Sequence, residues 1–147
     1  MLKKLLVLTL FVSFLAVGCE KLKEAAGNVT GNITGIESTY AGTWNAEDKG
    51  VSDYFYLNKM VINDDGSMTY TDVKGGKELI FESIAIVKIG ETYTATYTEK
   101  NASDATVTDS YTLTIKFTSE IQATVNYTKK IGSVTTTYED GIFNKAQ

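Results

Sequence analysis

The chain has no histidine, no proline and no arginine, and only one cysteine; its fourteen basic residues are all Lys. Without His there is no Ser-His-Asp or Cys-His arrangement and no imidazole metal ligand. Without Arg there is no bidentate guanidinium clamp for phosphate or carboxylate. One Cys makes no intramolecular disulfide, no Cys-x-x-Cys redox pair and no zinc knuckle. Neither a Gly-x-Gly-x-x-Gly nor a Gly-x-x-x-x-Gly-Lys phosphate loop occurs. Fourteen Lys face eighteen Asp plus Glu, a balance that disfavours nucleic acid as a partner. These gaps predict a protein that is not an enzyme and holds no metal.

What is present begins with an address. Lys3 and Lys4 form a positive start, Leu5–Val17 is an uncharged, mostly apolar run of thirteen residues, and Gly18 precedes Cys19. This is the layout of a secretory signal peptide. As helix the run spans about 20 Å, short of a hydrocarbon core of roughly 30 Å, so a permanent transmembrane helix is the weaker reading.

Leu15-Ala16-Val17-Gly18-Cys19 resembles the lipobox of bacterial lipoproteins. The resemblance implies cleavage between Gly18 and Cys19, a diacylglycerol on the thiol and an N-acyl chain (palmitate type) on the new amino group. No other cofactor is expected. Two or three acyl chains anchor a protein stably, where one is marginal. Glu20 follows the Cys; in the family pattern, the absence of Asp there implies the cell outer membrane. The chain from Cys19 carries twelve Lys and eighteen acids, a net charge of −6, so an anionic leaflet repels the body and it stands off the surface.

Gly27, Gly31 and Gly35 recur at every fourth place between Asn, Thr and single apolar residues. Glycines at that spacing break helix and strand alike. The division read here is residues 1–18 as signal peptide, 19–37 as lipidated Cys and flexible tether, and 38–147 as folded body.

In the body the apolar period is two. Tyr111, Leu113, Ile115 and Phe117 alternate with Thr and Lys; Ile121, Ala123, Val125 and Tyr127 alternate with Gln, Thr and Asn; Tyr93, Ala95 and Tyr97 alternate with Thr. The chain's twenty-one Thr and nine Tyr suit half-buried pleated surfaces. Turn chemistry at Asp64-Asp65-Gly66-Ser67, Gly75-Gly76, Gly90-Glu91, Asn101–Asp104, Gly132 and Asp140-Gly141 separates the strands. Asp64-Asp65-Gly66 lacks the later oxygen ligands of a calcium loop and reads as a turn. The stretch Glu78–Ile89 carries apolar residues on both parities. That predicts a strand covered on two faces, or one that bends and switches faces; a short helix is the third alternative, against which the β-branched content argues. Short connections imply sequential antiparallel pairing. The expected fold is all-β, an antiparallel up-and-down barrel of about eight strands after the tether; an open meander or a two-sheet sandwich remains the alternative.

Gly42-Thr43-Trp44 opens the first strand and contains the only Trp. It resembles the Gly-x-Trp of lipocalins, whose Trp packs across the closed end of the barrel and carries a basic residue over its ring. Here only Lys145 or Lys116 offers that cation. Ile62–Tyr70 and Tyr138–Phe143 are similar to a central hairpin and a last strand of small lipocalin-like bacterial lipoproteins, of the spirochaete 16 kDa outer-membrane type. The resemblance implies a surface structural or interaction role, antigen-like, toward host or envelope macromolecules. Binding of a small apolar ligand is the first alternative, with Tyr93, Tyr97, Tyr111 and Tyr127 as pocket residues among a wider set that includes Tyr54, Tyr70 and Tyr138. Enzyme inhibition is the second. Asp53, Asp109, Glu139 and Asp140 are carboxylates near strand ends, and no spacing selects a pair among them for acid–base work.

Overall fold

Alternation of inward apolar and outward polar residues organises the whole body. In a computed structural model, which describes residues 31–33 and 35–147, it produces ten strands. They are β1 (Gly31–Ile33), β2 (Gly42–Ala46), β3 (Lys59–Ile62), β4 (Met68–Asp72), β5 (Lys77–Phe81), β6 (Ile86–Ile89), β7 (Thr92–Lys100), β8 (Thr108–Ser119), β9 (Gln122–Ile131) and β10 (Val134–Lys145). Single 3-10 turns lie at Ser38–Tyr40 and Ser83–Ala85. Signal-peptide and lipobox residues, Gly18 and Cys19 included, lie outside the described residues.

Every pairing is antiparallel, and the strand order is β1-β6-β7-β8-β9-β10-β2-β3-β4-β5. β10 pairs with β2, Phe143 opposite Ala46 and Lys145 opposite Trp44, so β2–β10 curl into a nearly closed up-and-down barrel. Nine strands are an odd number. A ring of antiparallel neighbours needs an even one, so β5 and β6 run the same way, and no backbone ladder joins them. β1 pairs with the free edge of β6, Gly31 opposite Ile89 and Ile33 opposite Val87. Gly31–Ile33, which precedes residue 38, thus adds a short strand to the sheet. Ile36, the apolar residue just past the Gly-x-x-x repeat, draws the chain in: it is buried, and its N–H donates to Gly66 O at 3.0 Å.

Three strands differ from the sequence reading. The stretch from Glu78 to Ile89 is two strands, broken at Ser83–Ala85. Leu79 and Phe81 point inward before the break and Ile86 after it, while Ile80 and Ile84 are exposed. The apolar set on both parities records that switch. Asp53–Asn63, bounded by the Asp64-Asp65-Gly66-Ser67 turn, reads from sequence as one strand, but β3 begins only at Lys59, because residues 51–57 form turns. β10 runs unbroken through Asp140-Gly141, which form a bulge with Asp140 at φ 57°.

The interior is filled from all sides. Trp44, Met60, Tyr70, Phe81, Tyr127 and Phe143 are almost wholly buried. Tyr70 of β4 and Tyr127 of β9, on opposite walls, have ring centroids 5.3 Å apart, so the walls meet across the axis. Outside, Thr96 and Thr112 face each other across β7–β8, as Thr128 and Thr137 do across β9–β10, with hydroxyls 3.5 and 3.1 Å apart.

Candidate functional site

The registers divide the connections between two ends. One end gathers residues 35–41, the turns at 63–67, 90–91 and 120–121, and the end of β10. The other gathers the long 47–58 loop and the turns at 73–76, 101–107 and 132–133.

Trp44 and Gly42 lie at the first end. Trp44 is fully buried, and its Nε1–H donates to Tyr40 O at 2.9 Å, which ties the 3-10 turn over the barrel. Lys145 supplies the cation: its Nζ lies 5.9 Å from the Trp44 ring centroid and donates to Thr39 O at 3.2 Å. Gly42 makes room for it. A Cβ there would stand 2.9 Å from Lys145 Cε, and Gly42 has φ 135°, a region open to glycine. Lys116 takes a different position, 3.4 Å from Glu91.

Beside these residues lies an open cleft of about 460 Å³. The Tyr40 and Phe117 rings stack at 3.8 Å with planes 7° apart, and Tyr93 meets each edge-on, at 6.4 and 5.6 Å. Lys88 Nζ stands 5.3 Å from the Tyr93 ring and pairs with Glu37. The hydrogen bond from Lys88 holds the Glu37 carboxyl below its ordinary range, and the same bond raises Lys88. Tyr93 is 2% exposed, and its hydroxyl is shut off from solvent beside Lys88 and Glu37. Burial pushes that phenol up, with Lys88 opposing.

The second end is plugged. The 47–58 loop places Tyr54 flat against Tyr138, planes 9° apart, and Phe55 edge-on to Phe143 at 6.0 Å. Gly141 is the seat: a Cβ there would fall 2.7 Å from the Phe55 ring. Under the plug lies a buried carboxylate. Asp72 accepts from Tyr54 Oη at 2.6 Å and from the Gly75 N–H at 2.9 Å. Lys129 donates to Tyr54 Oη at 3.3 Å. Asn58, also buried, donates to Tyr70 Oη at 2.8 Å and accepts from the Val73 N–H. Burial drives the Tyr54, Tyr70 and Tyr127 phenols far up, with the Asp72 charge adding to each. They stay protonated, and Tyr54 and Tyr70 serve as hydrogen-bonding groups.

Of the sequence-chosen tyrosines, Tyr93 lies at the Trp44 end. Tyr97 and Tyr111 meet at 6.1 Å by the β5–β7 side, where Tyr111 Oη donates to Glu99 at 3.0 Å. Tyr127 sits under the plug among Tyr54, Tyr70 and Tyr138, its hydroxyl unpartnered. The four do not converge on one site. Of the carboxylates named from sequence, Asp109 is buried and accepts from Asn101 Nδ2 and the Gly132 N–H, tying two turns together. Among the described residues no group of His, Cys, Asp or Glu is placed to hold a metal ion. Sequence reasoning missed Asp72, although alternation after Met68 and Tyr70 puts it on the inner face. It also missed the seating of Phe55 on Gly141, which no local signal announces.

No protein-family model matches the chain, and no curated protein matches it. Among solved structures it is similar to that of Treponema pallidum Tp0751 (pallilysin), with a TM-score of 0.48 and 12% identity over 74% of this chain and 79% of that one.

Proposed function

We propose that the chain is a lipoprotein anchored to the cell outer membrane through diacylglycerol and an N-acyl chain on Cys19, and that its barrel serves there as a surface structural or interaction module rather than as an enzyme. The observation that carries the non-transport part of this reading is the filled interior. Tyr70 and Tyr127 meet across the axis, and Tyr54 and Phe55 occupy one mouth. These contacts across the axis and at the mouth support a role at the outside and the ends over a ligand held inside. The anchor rests on sequence: a positive start, a thirteen-residue apolar run, and Gly18 directly before the sole Cys. Labelled palmitate fed to the producing bacterium is expected to enter the wild-type chain. In Cys19→Ser it should be lost and the precursor should accumulate uncleaved. Label persisting in that variant overturns the anchor.

A further inference from the structure

We propose that the Trp44 end of the barrel rests on the lipid surface to which Cys19 ties the chain, with Ile89 and Ile121 entering the interface and the plugged end facing away. The docking rests on the anchor read at Cys19 and adds to it an orientation, a contact surface and a class of lipid. Where the chain enters the body comes first. Gly31 stands opposite Ile89, beside the 90–91 turn, so the chain arrives at the Trp44 end and runs from there to Ile36. Eleven residues, 20–30, separate Cys19 from Gly31. Fully extended they reach about 40 Å at most. β8 alone, with twelve residues, is about as long. For the plugged end to touch the membrane, those residues would have to lie taut along the whole wall. With the Trp44 end down they need no stretching.

That end also exposes the side chains a lipid interface takes. Ile89 is 53% exposed and Ile121 62%, at the tips of the β6–β7 and β8–β9 hairpins. Thr92 lies opposite Lys116, so the β8–β9 turn projects beyond the β6–β7 turn. Tyr40 and Phe117 stand half-buried beside them, and Tyr is enriched at headgroup level. Val51 and Val134, at the plugged end, are just as exposed; the chain's point of entry, not apolarity, selects the end. Two isoleucines make a weak contact alone, and a short tether holds it at high local concentration. Charge then chooses the lipid. Lys88 and Lys116 are paired with Glu37 and Glu91, and Lys145 lies over Trp44. Asp64, Asp65 and Glu120 add exposed carboxylates, so acids outnumber lysines at this end. It suits a zwitterionic leaflet and is repelled by an anionic one.

The test is amide NMR on the chain isolated from the membranes of the producing bacterium and held in phosphatidylcholine nanodiscs that carry a gadolinium-chelating lipid. The mass of the isolated chain reports acylation separately. The acylated chain should lose the amide signals of Gly90, Glu91 and Ile121 and keep those of Val51, Gly75 and Ser133. Ile89→Ser combined with Ile121→Ser, both at exposed positions, should leave acylation and spectral dispersion intact and remove the difference between the ends. Replacing half the lipid by phosphatidylglycerol should restore the lost signals, and added salt should reverse that recovery by screening the repulsion. Equal loss at both ends, greater loss at the plugged end, a loss that survives the double variant, or signals unmoved by phosphatidylglycerol overturns the docking while the anchor stands. A mass without acyl chains overturns the anchor, and the docking with it.

Discussion

The seat of Phe55 on Gly141 makes a prediction whose sign reverses with context. A Cβ at Gly141 falls 2.7–2.8 Å from three ring carbons of Phe55, closer than carbons can stand. Gly141 itself is not in the left-handed region, so alanine there meets a steric penalty and nothing else. Phe55 is 4% exposed, and ejecting such a ring forfeits about 1.5–3 kcal/mol of burial. Its edge-to-face contacts with Tyr54 and Phe143 add about 0.5–1.5 kcal/mol. Against this, replacing glycine restricts the unfolded chain and returns about 0.4–1 kcal/mol. Gly141→Ala should therefore cost about 1–4 kcal/mol in the wild type. Phe55→Ala alone should cost about 3–5 kcal/mol. With the ring gone the seat is empty, and adding Gly141→Ala to Phe55→Ala should be neutral or stabilising by up to about 1 kcal/mol. Guanidinium unfolding followed by the fluorescence of Trp44, the only Trp, measures all four corners of the cycle. If Gly141→Ala costs the same in both backgrounds, within about 0.5 kcal/mol, the ring does not sit where this reasoning puts it.

Lys145→Ala removes the cation over Trp44 and the bond to Thr39 O; by the same unfolding measurement it should cost about 0.5–1.5 kcal/mol. Lys145→Arg should recover most of that, and Lys116→Ala should lie within about 0.5 kcal/mol of wild type. Asp109 gives a pH signature. Hydrogen bonds from Asn101 and the Gly132 N–H hold its pKa below the ordinary 3.8. A carboxylate depressed by folding contributes stability above its unfolded value and loses it as pH falls through the folded one. The gap in melting temperature between wild type and Asp109→Asn should thus be constant from neutral pH to about pH 4 and close below that. A gap unchanged at the lowest pH contradicts the assignment.

Much of the architecture was legible because alternation is a local signal. Tyr111, Leu113 and Ile115 announce their inward face by spacing alone, and the structure buries all three. That Lys145 and not Lys116 stands over Trp44 depends on β10 pairing with β2, which no local signal announces. What stayed hidden was set by groups far apart in sequence. Tyr54 and Asp72 meet across eighteen positions, and Lys129 reaches Tyr54 across seventy-five. Ile121 continues the pattern of Ala123 and Val125 yet is 62% exposed, because it lies in a turn where the pleat has ended. Periodicity says which face a residue occupies while the strand lasts, and it says little about where the strand stops.

The odd strand count also governs how the barrel can come apart. Between β5 and β6 no ladder of backbone bonds has to break. That part of the wall is held by side chains: Lys77 on Glu99, and Phe81 against Tyr97 at 6.4 Å. The molecule is in this sense a split ring with a clasp. Spreading it at the clasp disturbs an ion pair and a ring contact, whereas parting any other neighbours unzips a run of amide–carbonyl bonds. Local opening should begin there, on the side where the short β1 lies against β6.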